Sequence, residues 1–258
     1  MYSAIVFFDL DGTLLNSNQQ IQASSLRAIQ QLRANHVLPV IATGRNILMV
    51  KSILEETGID TAISANGSYL LYHNRSLNVR EIPRSILQKL VRIANQRHVP
   101  LAFQDKGQIV LTAESPLTDA AYAKHQLNPK VNAKFYQNHP VNFVNLFTAD
   151  PNQDHFYQRR FSNQLTIVRN SHSCLDVTGS GINKQSGIKA LLESLKLNNV
   201  PTYAFGDGLN DLQMFNEVDH AIAMGNGQSK CRSAADFVTA DNNHDGIDLG
   251  LKHYHLIK

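Results

Sequence analysis

Ala4-Ile5-Val6-Phe7-Phe8 is an unbroken apolar run that ends on two acids, in Asp9-Leu10-Asp11-Gly12-Thr13. An unbroken run, unlike an alternating one, suits a strand covered on both faces, as in a parallel sheet with crossover helices above and below. In extended backbone, positions i and i+2 face the same side, so Asp9 and Asp11 can point into one small volume. Two carboxylates held that close repel unless a cation lies between them. A hard divalent ion with oxygen ligands, such as Mg²⁺, answers that need. Asp11-Gly12 is also a favoured turn pair, but a turn leaves Asp9 at the end of a buried strand unexplained.

The strand-then-helix rhythm repeats. Ile21, Ser25, Ala28, Ile29 and Leu32 recur at helical spacing and predict an amphipathic helix over 20–35. A second buried strand over 37–42 contains Pro39, which fits poorly inside a sheet, and leads into Thr43-Gly44-Arg45. A helix with Gly58 as its stop and a short strand over 62–64 follow, the latter ending in Asn66-Gly67. Ligands of doubly wound sheets bind beyond the carboxyl ends of the strands. Asp9, Thr43 and Asn66 each stand just past such an end. Asn66-Gly67 reads equally well as a plain turn.

From 69 to 178 the pattern changes to a hairpin around His73-Asn74-Arg75 and then strands and helices in α+β order, with 120–142 giving no clear pattern. The first rhythm returns after Gly179-Ser180-Gly181. A helix carries Ile188, Leu191, Leu192 and Leu195, and a strand over 202–205 ends in Gly206-Asp207-Gly208-Leu209-Asn210-Asp211. The expected fold is therefore α/β: a doubly wound, Rossmann-like parallel-sheet core of residues 1–82 and 179–258, with an inserted α+β cap of residues 83–178.

Composition narrows the function classes. Hydrophobic residues at 43% and charged residues at 17% describe a globular chain, and a net charge of +3 without basic runs argues against a nucleic-acid partner. No stretch approaches the ~20 apolar residues of a membrane span. Ala4 to Phe8 is too short for a signal peptide, and Cys174 and Cys231 lack disulfide or zinc spacing. A cytoplasmic protein is expected, as a monomer or weak homodimer.

Four pieces in order, Asp9-x-Asp11-Gly-Thr, Thr43-Gly-Arg45, Lys184 and Gly206-Asp207-x-x-Asn210-Asp211, resemble the signature motifs of the haloacid dehalogenase superfamily. The last is similar to that of the Cof-type sugar-phosphatase branch. Thr43 follows Asp9 by 34 positions (43 − 9), which leaves no room for a cap, whereas Lys184 follows Thr43 by 141 (184 − 43). Ordinary elements use about forty of those, and roughly a hundred remain, the size of a small domain. The resemblance thus implies a large α/β cap between the second and third motifs.

It also implies a Mg²⁺-dependent phosphatase acting on small phosphorylated metabolites such as sugar phosphates. Asp9 would be the nucleophile that forms an aspartyl-phosphate, and Asp11 the proton donor to the leaving alcohol. Thr43, Gly44 and Asn210 would face the phosphate, with Arg45 reaching substrate or cap; a surface salt bridge explains Arg45 almost as well. Lys184 would balance the anion at its helix start. Asp207, Asp9 and the carbonyl of Asp11 would hold Mg²⁺, and Asp211 a metal-bound water. A phosphomannomutase-like phosphotransferase shares the motifs and the cap position. A phosphoacceptor module without turnover uses similar residues but is small and uncapped. Phe103, Gln104, His172 and Asp176 are the cap positions first considered for specificity, with ordinary packing as the alternative for each.

Overall fold

The computed structural model describes residues 2–123 and 125–258. Its first strand, β1 (Ala4–Phe8), is buried at every position. There follow α1 (Ala23–Ala34), β2 (Val37–Ala42), α2 (Lys51–Thr57), β3 (Ala62–Ser64) and the antiparallel pair β4 (Tyr69–Tyr72) and β5 (Arg75–Val79). Next come α3 (Arg84–Gln96), β6 (Leu101–Gln104), β7 (Ile109–Leu111), α4 (Pro116–Ala123), β8 (Lys130–Val131), β9 (Phe143–Phe147) and α5 (Asn152–Arg160). Strands β10 (Leu165–Ser171) and β11 (Cys174–Gly179) precede α6 (Lys184–Leu195), β12 (Thr202–Gly206), α7 (Leu212–Phe215) and β13 (His220–Ala223). The chain closes with α8 (Ser229–Ala234), β14 (Phe237–Val238) and α9 (Gly246–His253).

The first sheet has the order β14-β13-β12-β1-β2-β3-β4-β5. Its unbroken first run serves two cores at once. Val6 and Phe8 pack with Ala28 and Leu32 of α1 and Leu251 of α9, while Ile5 and Phe7 pack with Ile188 and Leu191 of α6. Each such side chain contributes roughly 1.5–3 kcal/mol on burial, so neither face of β1 tolerates a polar residue. The chain moves outward through β2 and β3, then returns on the other side of β1 through β12 and β13, all in parallel. Strand order therefore reverses at β1, where the diverging loops open a crevice.

Pro39 sits inside β2, opposite Val6, without harm to the ladder. The N–H groups of Ile41 and Thr43 point to Thr61 and Ile63 on the β3 side. Pro39, two residues earlier, faces the same side before β3 has begun, so its missing donor had no partner to lose.

The second sheet, β10-β11-β9-β6-β7-β8, is antiparallel apart from the short β7–β8 pair. One face packs under α3 and α5, where Leu87, Leu90, Tyr157 and Phe161 meet Phe103, Val144, Leu146 and Val177. The opposite face carries Gln104, Asn145 and Asp176, which share a cavity with the strand-end loops of the first sheet. The unpatterned stretch 120–142 holds the end of α4, the two-residue β8 and a single 3-10 turn over Phe135–Gln137. Such pieces are shorter than a periodicity can register. The hairpin turns on His73 and Asn74 alone, both with left-handed backbone (φ 48° and 59°), and Arg75, expected within the turn, opens β5. Among the described residues, no helix is long and apolar enough to cross a membrane.

Candidate active site

Asp9 leaves β1 with its N–H bonded to the carbonyl of Phe205 on β12, which fixes the carboxylate at the strand-order reversal. Lys184 is the first residue of α6, behind a capping box between Asn183 and Ser186. Its ammonium, 1% exposed, donates to Asp9 Oδ1 at 2.5 Å and to Asp211 Oδ1 at 2.6 Å. Asp211 uses its other oxygen, Oδ2, to accept the N–H groups of Asp207 and Gly208, each at 3.0 Å. It thus folds the loop after β12 around itself. Asp207 accepts the Thr13 hydroxyl at 2.8 Å, and its carboxylate lies where a Cβ on Gly12 (φ +79°) would collide with it. Gly12 is required twice, by its backbone angle and by this approach.

Asp9, Asp207 and Asp211 offer oxygens that all lie within 4.8 Å of one another. Three carboxylates around one ammonium leave an excess of negative charge in a low-dielectric pocket. Burial first, and Asp211 second, push the Asp9 carboxyl well above the usual range, against the pull of Lys184. Burial also pushes Asp207 up to about 6, opposed by its Thr13 hydrogen bond. Burial alone would lower the Lys184 ammonium, but Asp211 and Asp9 outweigh it and hold it protonated. The all-oxygen donor set with surplus negative charge suits a hard divalent cation. Asp9 and Asp207 have oxygens to offer it, while both oxygens of Asp211 are already engaged.

Thr43 is held by its N–H to Ile63 and accepts the Arg45 N–H on its hydroxyl at 3.1 Å. The Arg45 guanidinium grips both oxygens of Asp11 and also Gln19. Asp11 therefore does not join the acid cluster through its side chain, as the i, i+2 geometry had suggested it could. Leaving extended backbone after Asp9 turns its carboxylate outward, where it is 55% exposed. Asn66 stands in left-handed backbone (φ 52°, ψ 37°) and donates to Asp176 of the second sheet at 2.8 Å. It is a bridge between the two sheets rather than a plain turn residue.

The cavity of about 640 Å³ is lined by Asp9, Asp11, Thr43, Gly44, Arg45, Lys184, Asp207 and Asn210, so the loops bring eight of the nine candidate residues to one space. Asp211 lies directly behind them, fully buried. Of the four cap positions, Gln104 and Asp176 line the cavity, whereas Phe103 is packed beneath α3 and His172 sits at the exposed β10–β11 turn. Alternation along β6 explains the split, since neighbours face opposite sides. Asn145 and Asn170 were overlooked. The available signal was a carboxamide in the middle of the otherwise apolar Phe143-Val144-Asn145-Leu146-Phe147.

Residues 6–251 match the haloacid dehalogenase-like hydrolase family model. The chain is 32% identical to the putative phosphatase YkrA of Bacillus subtilis, over 100% of both. It is 26% identical to the 5-amino-6-(5-phospho-D-ribitylamino)uracil phosphatase YcsE of the same organism, covering 98% of this chain and 96% of that one. Among solved structures, the subclass IIB sugar phosphatase BT4131 superposes with a TM-score of 0.87 at 26% identity, covering 98% of this chain and 100% of that one.

Proposed function

From the premise that this chain belongs to the haloacid dehalogenase-like hydrolase family and is a phosphatase, we propose that it hydrolyses small phosphorylated metabolites, sugar phosphates among them, through an aspartyl-phosphate on Asp9. The observation that carries this reading is the buried Lys184 ammonium shared by Asp9 and Asp211. It holds Asp9 at the cavity floor and presents positive charge where a transferring phosphoryl group would lie.

Thr43, with Gly44 beside it, supplies a hydroxyl and a close backbone approach for the phosphate oxygens. Asn210 faces the same space. Asp9 attacks phosphorus as the bond to the leaving oxygen breaks, and Asp11 gives that oxygen its proton. Asp11 then takes a proton from the water that attacks the aspartyl-phosphate, which releases phosphate and restores Asp9. Asp11 lines the cavity with its carboxylate held by Arg45, and it would leave that grip to reach the leaving oxygen. Asp9, Asp207 and the Asp11 carbonyl would hold Mg²⁺, whose charge offsets that of the phosphoryl group and the acids. Asp211 keeps the loop of Asp207 and the Lys184 ammonium in place. The thiols of Cys174 and Cys231 are both buried, which fits a cytoplasmic setting.

The test is release of inorganic phosphate from an aryl phosphate by the purified chain with Mg²⁺. Turnover should stop with chelator and return with added Mg²⁺, and Asp9→Asn should lose roughly a thousandfold or more in kcat. Metal-independent turnover, or an Asp9→Asn variant of near-normal rate, refutes this assignment. Isomerised sugar phosphate in place of free phosphate would support the phosphotransferase instead.

A further inference from the structure

The second sheet places a second constellation across the cavity from Asp9, built from different chemistry. Phe143, Asn145 and Phe147 alternate onto one face of β9, and all three line the cavity. Asp176 of β11 is in register with Asn145. Its carboxylate, 6% exposed, accepts the amide of Asn145 at 2.9 Å, of Asn170 at 3.0 and 3.1 Å, and of Asn66 at 2.8 Å. Gln104 is 1% exposed and donates its amide to Asn145. Its Oε1, however, is buried without any hydrogen-bond partner. A buried acceptor left without a donor is unfavourable, and one at a cavity wall is relieved by a ligand that brings a donor.

Among the described residues, Asp176 accepts from carboxamides and pairs with no lysine or arginine. Arg169, the cap's guanidinium at the cavity, is turned onto Asp154 and the carbonyls of Thr148, Ser171 and His172. Burial pushes the Asp176 carboxyl up to about 6, against its three carboxamide donors, so it remains mostly ionised at neutral pH. The cluster also lies close to the phosphate end. A Cβ built on Gly44 would stand 3.5 Å from Asp176 Oδ2 and 3.1 Å from Asn66 Oδ1. The first atoms of a leaving group bound over Thr43 and Gly44 must therefore pass beside Asp176.

We propose that Gln104, Asn145, Asn170 and Asp176 form the leaving-group subsite, and that it selects neutral, hydroxyl-bearing alcohols over those with a carboxylate or a second phosphate. The orphan Oε1 of Gln104 accepts a substrate hydroxyl, Phe143 and Phe147 cover its carbon face, and Asp176 repels a second anion. The inference rests on the phosphatase reading and goes beyond it by excluding anionic leaving groups on charge.

The test uses matched probes in which one terminal hydroxymethyl group is replaced by a carboxylate: glycerol 3-phosphate against 3-phosphoglycerate, and sorbitol 6-phosphate against 6-phosphogluconate. p-Nitrophenyl phosphate serves as reference. The neutral member of each pair should lead by about tenfold or more in kcat/KM. Asp176→Asn should narrow that ratio at least several-fold, chiefly through the KM of the anionic member, and Asp176→Glu should keep it wide. Comparing probes within one variant cancels any general loss of activity. Gln104→Leu should raise KM for the polyol phosphates more than for the aryl phosphate, and gives a second route should Asp176→Asn not fold. Aryl phosphate turnover with no preference in either pair, or a preference for the anions, overturns the subsite. So does an unchanged ratio in an Asp176→Asn protein that melts like the wild type. No turnover of any probe would instead overturn the phosphatase reading, and the subsite with it.

Discussion

The two walls of the cavity solve the problem of a buried carboxylate in opposite ways. On the core side Asp9 and Asp211 are balanced by a full charge, the Lys184 ammonium, with Asp207 beside them. On the cap side Asp176 is surrounded by the neutral amides of Asn66, Asn145 and Asn170. An ammonium makes the core wall suited to a doubly charged phosphoryl group, and the surplus acids make it suited to a divalent cation. Carboxamides satisfy Asp176 without cancelling its charge, so the cap wall stays negative and hydrogen-bonding. On the proposed reading, one wall addresses the reacting group and the other addresses what departs with it.

The largest break in this contrast comes from removing the core's cation. Lys184→Met leaves two buried acids facing each other, and breaking a buried ion pair costs roughly 3–5 kcal/mol. Asp9, already pushed up by burial and by Asp211 against the pull of Lys184, then binds its proton more tightly still. The loss is thus expected to be greatest above neutral pH and to shrink as pH falls. Urea melts of the variant and wild type at pH 5 and pH 8, with chelator present, measure this. A loss of similar size at both values would mean that the ion pairs do not govern stability here.

Asp176 sharpens the contrast through its own titration. Its folded carboxyl, at about 6, lies above its ordinary 3.8, so the folded state holds the proton more tightly than the unfolded state. Ionisation of Asp176 therefore removes stability as pH rises from about 4 to about 6, and the loss is absent below that window. At ~1.4 kcal/mol per pH unit between the two values, it reaches roughly 3 kcal/mol above pH 6. The stability of wild type relative to Asp176→Asn should accordingly fall across that window and level off beyond it. A difference that does not change with pH would show that the amides fully offset the cost of burying the Asp176 carboxylate.

The smallest effect tests the bridge between the walls. Asn66→Gly keeps the left-handed backbone permissible and removes only the amide that reaches Asp176. A hydrogen bond to a charged group contributes about 1.5–3 kcal/mol, spent here on docking one sheet against the other. Faster amide hydrogen exchange in β11, with exchange in β1 unaltered, is the expected result. Unchanged protection of β11 would mean that the docking is carried elsewhere, for example by Asn142 on Ser68 and Asn46 on the Asp105 carbonyl.

The core wall was legible in the chain because its parts are contiguous. Asp9 and Asp11, Thr43 to Arg45, and Asp207 to Asp211 each sit in a single loop at a strand end, where the backbone itself sets the spacing. The unbroken run at β1 likewise announced a strand with two buried faces, and the helical spacing after it announced α1. The cap wall was not legible in this way. Gln104, Asn145, Asn170 and Asp176 come from four different strands, one residue each, and only the pairing of β10 with β11, β11 with β9 and β9 with β6 brings them together. Phe103 and Gln104 are adjacent in the chain yet face opposite sides, a choice made by which face α3 and α5 cover.

Sequence alone therefore determined the alternation of strands and helices, the identity of the acids at the strand ends and the room for an insertion, since each depends on local spacing. Tertiary structure alone decided that Asp11 turns out to Arg45, that Lys184 binds Asp9 and Asp211 together, and that Asn66 reaches Asp176. Those contacts join residues 34, 175, 27 and 110 positions apart. The physical reason is that such contacts are settled by packing and by the need to pair every buried charge, neither of which leaves a period in the chain.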